Sequence, residues 1–278
     1  MNGSRMAAIA AMMTALSACG GGGGDGGPPP SPPPPPPAPA PTPSAPLGTA
    51  GIFNVNYGQF SGVYTILDNR QFSGVHLVSG VGLAGHPHGM LSATNSTSAR
   101  DPIAWANFID DLHQYGTQEP AGVFGRTFSS TALDVSITGS MGSFAATVTE
   151  QAGYGDGSGR TLYGDPIALS AAAGTYAGYM RSVGLSQSRQ PVGGMTLDAT
   201  GHWSVSAGSC TFTGTLVQHG ATGVYDAQAA TSGAGCAFVP TLSGLMTPMA
   251  WNAGKPQWAL QLDSADDAQT AVFIVIQQ

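Results

Sequence analysis

The stretch GQFSGVYTILDNRQFSGVHLVSG, residues 58–80, is the segment from which the fold can be inferred first. The pentapeptide QFSGV occurs twice, at 59–63 and 71–75, and the pair Asp68-Asn69 lies between the copies. Two runs of aromatic and β-branched residues joined by a short turn sequence predict a β-hairpin. In each copy a glycine follows the aromatic residue by two places, which leaves room for an inward ring and lets a sheet coil. The stretch therefore favours a small, strongly curved antiparallel sheet.

The same aromatic–small–glycine signature recurs as YAG at 176–178 and FTG at 212–214. In the last hundred or so residues, we predict strands at 174–183, 192–198, 201–207, 210–218, 223–231, 236–249, 256–264 and 270–277. Trp258, Leu260 and Leu262 share one face of their strand, whereas the last strand is apolar on both faces, which predicts that it is covered on both sides. Eight meandering strands over about 105 residues are typical of a small up-and-down barrel or a coiled sheet.

The first half repeats this plan in a looser form. Strands are predicted at 58–67, 71–79, 121–129, 132–138 and 142–150. GTYAG at 174–178 also matches GQFSG at 58–62 in pattern. We therefore expect an all-β protein with two tandem antiparallel barrel-like or coiled-sheet modules, at residues 48–168 and 169–278.

One segment of the first module fits two different structures. In RDPIAWANFIDDLHQYG, residues 100–116, Asp101 and Pro102 are suited to the N-cap and first position of a helix that Gly116 would end. Its apolar residues also fall on one helical face. The alternative is a strand-bearing excursion. The sequence thus predicts either a single short helix here or further strand structure.

The first 18 residues have the features of an exported protein's signal peptide. Arg5 precedes the apolar run Met6–Leu16, which is too short to span a bilayer. The tetrapeptide Leu16-Ser17-Ala18-Cys19 follows and resembles the lipobox of bacterial lipoproteins. That resemblance implies cleavage before Cys19, lipidation of its thiol and acylation of the new amine. Because Gly20 rather than Asp comes next, it also implies the outer membrane; an ordinary signal with a chance cysteine is the alternative.

Residues 19–47 are Cys19, the expected lipidation site, followed by a glycine run and then a proline run. The glycine part predicts a flexible coil, and Pro28–Pro46 predicts a polyproline II segment roughly 60 Å long. We interpret this segment as a spacer between the membrane and the folded modules. A proline motif bound by another protein is the alternative.

The other two cysteines, Cys210 and Cys236, are predicted to form a disulfide bond. Both begin predicted strands, and one strand lies between those two, so a meander places the cysteines at the same rim. Cysteines of an exported protein are normally oxidised.

His86 and His88 are the weak metal-binding candidates of this sequence. Two residues apart in a strand, they would point the same way and could share a metal ion. Pro87 and the flanking glycines instead favour a solvated loop. A third ligand could come from one of four residues, which spacing alone does not single out: His76, Asp110, Asp111 or His113.

The remaining motifs have plainer interpretations. GVGLAG at 80–85 matches a dinucleotide-binding pattern, but Pro87 forbids the helix that this mechanism requires, so we predict a glycine turn. Asp263, Asp266 and Asp267 lie between two predicted strands and are expected to form a hairpin turn. GYGDGSG at 153–159 is read as a plain loop. The sequence has no G-x-S-x-G elbow, no P-loop and no H-E-x-x-H motif, so no catalytic residue is expected.

The arrangement from about residue 50 to 278 also resembles a broad group of proteobacterial lipoproteins. The residues that carry this resemblance are ALSAAAGTYAGYM, CTFTGTL, Cys236, LSGLM and TAVFIVIQ. It implies a two-part β fold in the cell envelope and implies no activity.

Composition and these motifs together favour a non-enzymatic function. The net charge is −7, only 8% of residues are charged, and no basic cluster is present, which argues against binding to nucleic acid. We expect an outer-membrane lipoprotein, on the periplasmic face or the cell surface, that contacts a protein or another envelope component and needs no cofactor. The alternatives are a lipocalin-like protein for a small apolar ligand and, third, a metal-dependent hydrolase that uses His86 and His88.

Overall fold

The computed structural model describes residues 50–57, 60–79, 82–92, 98–108, 117–128, 133–139, 142–150, 163–183, 189–252 and 255–278. Cys19, the predicted signal peptide and the proline-rich segment lie outside these residues. The same is true of the GYGDGSG segment and of the three candidate ligands Asp110, Asp111 and His113.

The first half of the folded chain is a closed antiparallel barrel of strands in meander order. Its strands are β1 Gly51–Tyr57, β2 Phe60–Ile66, β3 Gln71–Val78, β4 Gly82–Met90, β5 Ser98–Asn107, β6 Thr117–Phe128, β7 Leu133–Gly139 and β8 Gly142–Glu150. β1 pairs with β8 through Phe53↔Glu150 and Asn54↔Thr149, which closes the barrel. The hairpin predicted from the two QFSGV copies is β2 and β3, which pair along their whole length.

The second half is another closed antiparallel barrel, preceded by one helical turn, α1 Leu169–Ala172. Its strands are β9 Gly174–Val183, β10 Arg189–Leu197, β11 His202–Ala207, β12 Cys210–Gln218, β13 Tyr225–Ser232, β14 Thr241–Asn252, β15 Lys255–Asp263 and β16 Thr270–Gln277. β16 returns to pair with β9. The prediction of two tandem barrel-like β modules is confirmed.

The helix considered for residues 100–116 was the wrong choice, because the part of that segment that the structure describes is a strand. β5 pairs with β4 on one side and with β6 on the other. The Asp101 carboxylate does not cap a helix but accepts a hydrogen bond from the Ser92 backbone N–H at 2.7 Å. A register shift between Ile103 and Trp105 accommodates the irregular strand. In the described residues, the only helical turn is therefore α1, outside the first barrel.

The interior of the second barrel is filled by large side chains. Trp258, Leu260 and Leu262, predicted to share a face, all point inward and are fully buried. The Phe212 ring packs edge-on against Phe273, with ring centroids 5.2 Å apart. Close packing of this kind leaves few voids in a protein core.

Gly214 of the FTG signature sits where two strands and a ring approach closely. A Cβ atom at this position would lie 2.8 Å from Trp203 Cε2 and would overlap the Gln228 carbonyl oxygen of the paired strand. Only glycine fits without moving the backbone, so the signature marks a point where the barrel wall is tightly coiled.

The outer faces of the two barrels pack against each other through one apolar cluster. Ile52, Val63, Leu67, Val75, Leu83, Ala106 and Phe108 come from the first barrel, and Val183, Val224, Leu245, Met249, Ala259, Val272 and Ile274 from the second. Val272 and Ile274 alternate along β16 with inward-facing residues, so this strand is covered on both sides as predicted.

The predicted disulfide bond between Cys210 and Cys236 is present, with the two Cα atoms 4.7 Å apart. Cys236 does not begin a strand: it lies in the connection between β13 and β14, and Thr241 begins β14. Over the part of the chain that the structure describes, helices long and apolar enough to cross a bilayer are absent.

Candidate functional site

His86 and His88 lie on a strand, β4, and not in the solvated loop that Pro87 and the glycines favoured. Pro87 is tolerated because it faces Gly74 of β3: a Cβ at Gly74 would be 2.8 Å from the Pro87 Cγ atom. Across the sheet, His88 pairs with Ser73. Side chains two residues apart in a strand point to the same face of the sheet, so His86 and His88 point the same way. The sequence had offered this arrangement as the alternative to a solvated loop.

The two histidine side chains lie on the outer face of the first barrel and contact Asp263 of the second barrel. Their rings are stacked, with centroids 4.5 Å apart and planes at 12°. His86 Nε2 lies 3.1 Å from Asp263 Oδ2, and His88 Nε2 lies 3.6 Å from Asp263 Oδ1. One nitrogen of each histidine and one carboxylate oxygen all fall within 4.8 Å of one another. The three side chains are largely shielded from solvent, with exposed fractions of 0%, 9% and 16%.

Neighbouring polar groups fix the orientation of the His86 ring and of the Asp263 carboxylate. His86 Nδ1 donates a hydrogen bond to the Gly74 carbonyl oxygen at 2.7 Å. A carbonyl oxygen only accepts, so the proton of a neutral His86 ring is on Nδ1 and the Nε2 lone pair faces Asp263. Asp263 Oδ1 in turn accepts a hydrogen bond from the Thr270 hydroxyl at 2.6 Å.

The charges of the site follow from burial and from the aspartate. Burial acts to lower the pKa of His86, but its charge interaction and hydrogen bond with Asp263 outweigh this and raise that pKa. Burial is the largest effect on His88 and lowers its pKa. For Asp263, burial acts to raise the pKa, and the two histidines reverse this and lower it. The site is therefore an anionic carboxylate with imidazole nitrogens directed at it, a donor set suited to a cation.

His76, proposed from the sequence as a third ligand, lies on the opposite face of its strand, inside the first barrel. Its Nε2 atom is 2.6 Å from the Tyr64 hydroxyl oxygen, and its ring packs edge-on against Trp105. Burial, followed by the charge on His86, lowers the pKa of His76 to about 3. His76 is therefore a neutral interior residue and does not belong to the site.

Asp263 is the site residue that the sequence did not identify as a ligand. It was expected in a hairpin turn, and it is the last residue of β15, next to the turn that contains Asp266 and Asp267. Alternation with Leu262 places it on the outer face of the second barrel. The sequence predicts the outer-face position of Asp263, but it does not predict that the first barrel covers this face.

A second polar contact between the barrels is centred on His219. Its Nε2 atom is 2.9 Å from Asp68 of the first barrel, and its Nδ1 atom is 3.0 Å from Asp226 of the second. Burial acts to lower the pKa of His219, but the two carboxylates outweigh burial and raise it. His219 thus links the hairpin turn of the first barrel to the second barrel.

In comparisons with known proteins, the chain matches no protein-family model, no curated protein and no solved structure.

Proposed function

We propose that this protein is a lipid-anchored outer-membrane protein whose two barrels form a non-enzymatic binding body that acts through its outer surface. The filled interior of the second barrel is the observation that carries this proposal. Its largest inward side chains are fully buried against one another: Tyr176, Phe212, Tyr225, Trp258 and Phe273. A lipocalin-like protein needs a cavity within the barrel to hold its ligand. A packed interior favours contacts on the outside instead.

The outer wall of the second barrel supplies a surface suited to such contacts. The neighbouring strands β11 and β12 contain no Asp, Glu, Lys or Arg. On β12, Thr213 is exposed, and Val217 is an exposed apolar residue with 63% of its surface accessible. The cores of protein interfaces are depleted of charged residues, so we infer that this uncharged wall contacts a protein or another envelope component.

The location rests on the N-terminal residues. The similarity of residues 16–19 to a lipobox and the spacer that follows support a domain held away from an outer membrane. Mass spectrometry of the mature N-terminal peptide tests this directly. A diacylglyceryl thioether on Cys19 with an acylated amine is expected, and Cys19→Ala should leave the chain unanchored. An unmodified Cys19 thiol on an uncleaved chain would contradict the location.

The interaction itself is tested by cross-linking in intact envelopes with matched charge variants. We expect Thr213→Lys to remove the cross-linked species because it places a charge in the uncharged wall. Asn69→Lys places the same charge in an exposed turn of the first barrel and should leave the species unchanged. Equal cross-linking in both variants would contradict the proposed surface. Native mass spectrometry of the purified chain tests the lipocalin-like alternative. That alternative predicts that an apolar molecule co-purifies with the chain.

A further inference from the structure

The contact between the barrels contains a polar group that its apolar surroundings do not explain. His86, His88 and Asp263 lie in the same barrel–barrel contact as a large buried apolar cluster. We propose that these three side chains bind one divalent transition-metal ion of the zinc class, and that the ion joins the two barrels. The inference is independent of the surface contacts proposed above.

In a site built without a metal ion, each of these side chains would have a hydrogen-bond partner. Here the three side chains do not satisfy one another in this way. Since the Gly74 carbonyl holds the proton of a neutral His86 on Nδ1, the Nε2 lone pair and the Asp263 carboxylate face each other at 3.1 Å. Two acceptors at this distance require a proton or a cation between them. His88 Nε2 is buried and has no hydrogen-bond partner, although it points toward the same carboxylate. A single cation would satisfy all three groups, whereas one proton satisfies only His86 and Asp263.

The spacing of the donors fits a small tetrahedral ion. Zinc binds imidazole nitrogen and carboxylate oxygen at about 2.0–2.2 Å, so two tetrahedral ligand atoms lie about 3.3–3.6 Å apart. The distance from His86 Nε2 to Asp263 Oδ2 is 3.1 Å and that from His88 Nε2 to the other carboxylate oxygen, Oδ1, is 3.6 Å, so both are close to that spacing. All three donor atoms lie within 4.8 Å of one another, so binding of the ion would draw the two rings and the carboxylate closer together.

The surroundings resemble the outer shell of a metal site. A ligating histidine commonly donates its other N–H to a backbone carbonyl, and ligating carboxylates are commonly hydrogen-bonded. Here the Gly74 carbonyl and the Thr270 hydroxyl occupy those two positions. Asp267 Oδ1 lies 3.4 Å from His88 Nε2 and belongs to a half-exposed side chain, so it or a water molecule can supply the fourth ligand.

Because the ligands come from both barrels, the ion binds only when the barrels are docked. By mass action, such an ion stabilises the docked arrangement, and the stabilisation rises with the logarithm of the ion concentration once this exceeds the dissociation constant. The burial of the ligands favours this structural role over hydrolysis, which requires substrate access to the metal. Calcium and magnesium prefer several oxygen ligands, so a site with two imidazoles discriminates against them.

Calorimetric titration of the metal-stripped full chain with ZnCl₂ tests the proposal, with MgCl₂ as the comparison ion. We expect one Zn²⁺ per chain, no matching Mg²⁺ binding, and an unfolding temperature that rises with Zn²⁺ concentration. Asp263→Asn preserves the shape of the side chain and should weaken Zn²⁺ at least about 100-fold, since loss of an outer-shell partner alone costs 10–100-fold.

Two further variants keep the result interpretable if Asp263→Asn folds poorly. His88→Gln removes a ligand whose Nε2 atom makes no hydrogen bond, and it should cause a similar loss of Zn²⁺ affinity. His202→Gln removes an exposed histidine that lies 3.6 Å from Asp198, and it should leave Zn²⁺ binding unchanged. The proposal is overturned if the wild-type chain binds no stoichiometric Zn²⁺, or if His202→Gln weakens binding as much as His88→Gln does.

Discussion

Reduction of the Cys210–Cys236 disulfide should destabilise the second barrel by an amount that the chain length between the cysteines determines. The bond joins residues 26 apart in the sequence and closes a loop that includes β12 and β13. Cross-linking restricts the unfolded chain, and for a loop of about this length the chain-entropy relation gives about 3.5 kcal/mol at 25 °C. We therefore expect the unfolding free energy of the second barrel to fall by about that amount.

The corresponding change in unfolding temperature depends on how much of the protein unfolds together. Unfolding entropy is about 2.1 cal/mol/K per residue. A second barrel of about 105 residues that unfolds alone would lose about 16 °C, and two barrels that unfold as one unit of about 220 residues would lose about 8 °C. Because the barrels share a buried apolar cluster, we expect the smaller shift.

Calorimetry of the oxidised and reduced wild-type chain measures this effect, since reduction changes no other atoms of the fold. The variant Cys210→Ala/Cys236→Ala is the matched control, in which the reductant should change nothing. A reduction-induced shift below about 3 °C would refute the reasoning, because it would mean that the unfolded chain is already restricted without the bond.

Three further predictions concern the barrel interior, the barrel wall and the contact between the barrels. Phe212→Ala should lower the free energy of unfolding by about 3–5 kcal/mol in a denaturant titration, because the ring is fully buried among other aromatic rings; a loss below about 1 kcal/mol would be incompatible with a filled interior. Gly214→Ala should cost about 1–3 kcal/mol, whereas Gly193→Ala, where a Cβ meets nothing within 4 Å, should stay within about 0.5 kcal/mol. The folded-state pKa of His219 lies above the ordinary value of 6.5, so its contribution to stability is complete below about pH 6.5 and is lost as the pH rises through the folded-state pKa. His219→Gln should remove the part of the pH dependence that begins near about pH 6.5 and continues above it, and identical profiles for variant and wild type would contradict a stabilising contact between the His219 ring and its two carboxylates.

The strands that the sequence predicts best are those in which the pattern of apolar residues itself reports which faces are buried. Alternation in β15 placed Trp258, Leu260 and Leu262 on one face because one side of that strand contacts a single packed interior. β16 was predicted to be covered on both sides because its outer residues, including Ile274, are as apolar as its inner ones. In both cases the periodicity of the sequence follows directly from local geometry.

β4 and β5 were harder to predict because their structure depends on a neighbouring strand. Pro87 and its flanking glycines favour a turn by themselves. They form a strand here because Gly74, on the adjacent strand, leaves space for the proline ring. Asp101-Pro102 likewise fits a helix start in isolation, but pairing with strands on both sides decides the outcome. Tertiary context overrides local preference at these positions.

The candidate metal site could be predicted only in part, since its ligands come from separate barrels. His86 and His88 were identifiable from their two-residue spacing, but Asp263 is 177 residues away from His86 in the chain. No sequence pattern of either barrel specifies which outer faces dock. The third ligand therefore becomes visible only when both barrels are folded and packed together.

The contact between the barrels contains two kinds of interaction with different effects. The apolar cluster stabilises the contact, and the polar pairs determine the relative position of the two barrels. Burial of the apolar cluster supplies a favourable free energy that depends little on orientation. Hydrogen bonds and ion pairs depend strongly on position, and buried ones left without a partner are costly. The contacts made by His86 and His219 lie in this second class. A slide of the barrels by one residue would keep much of the apolar contact but would separate each of these histidines from its carboxylate. We therefore infer that the histidine–aspartate pairs select one docked arrangement from the several that the apolar surfaces alone would permit.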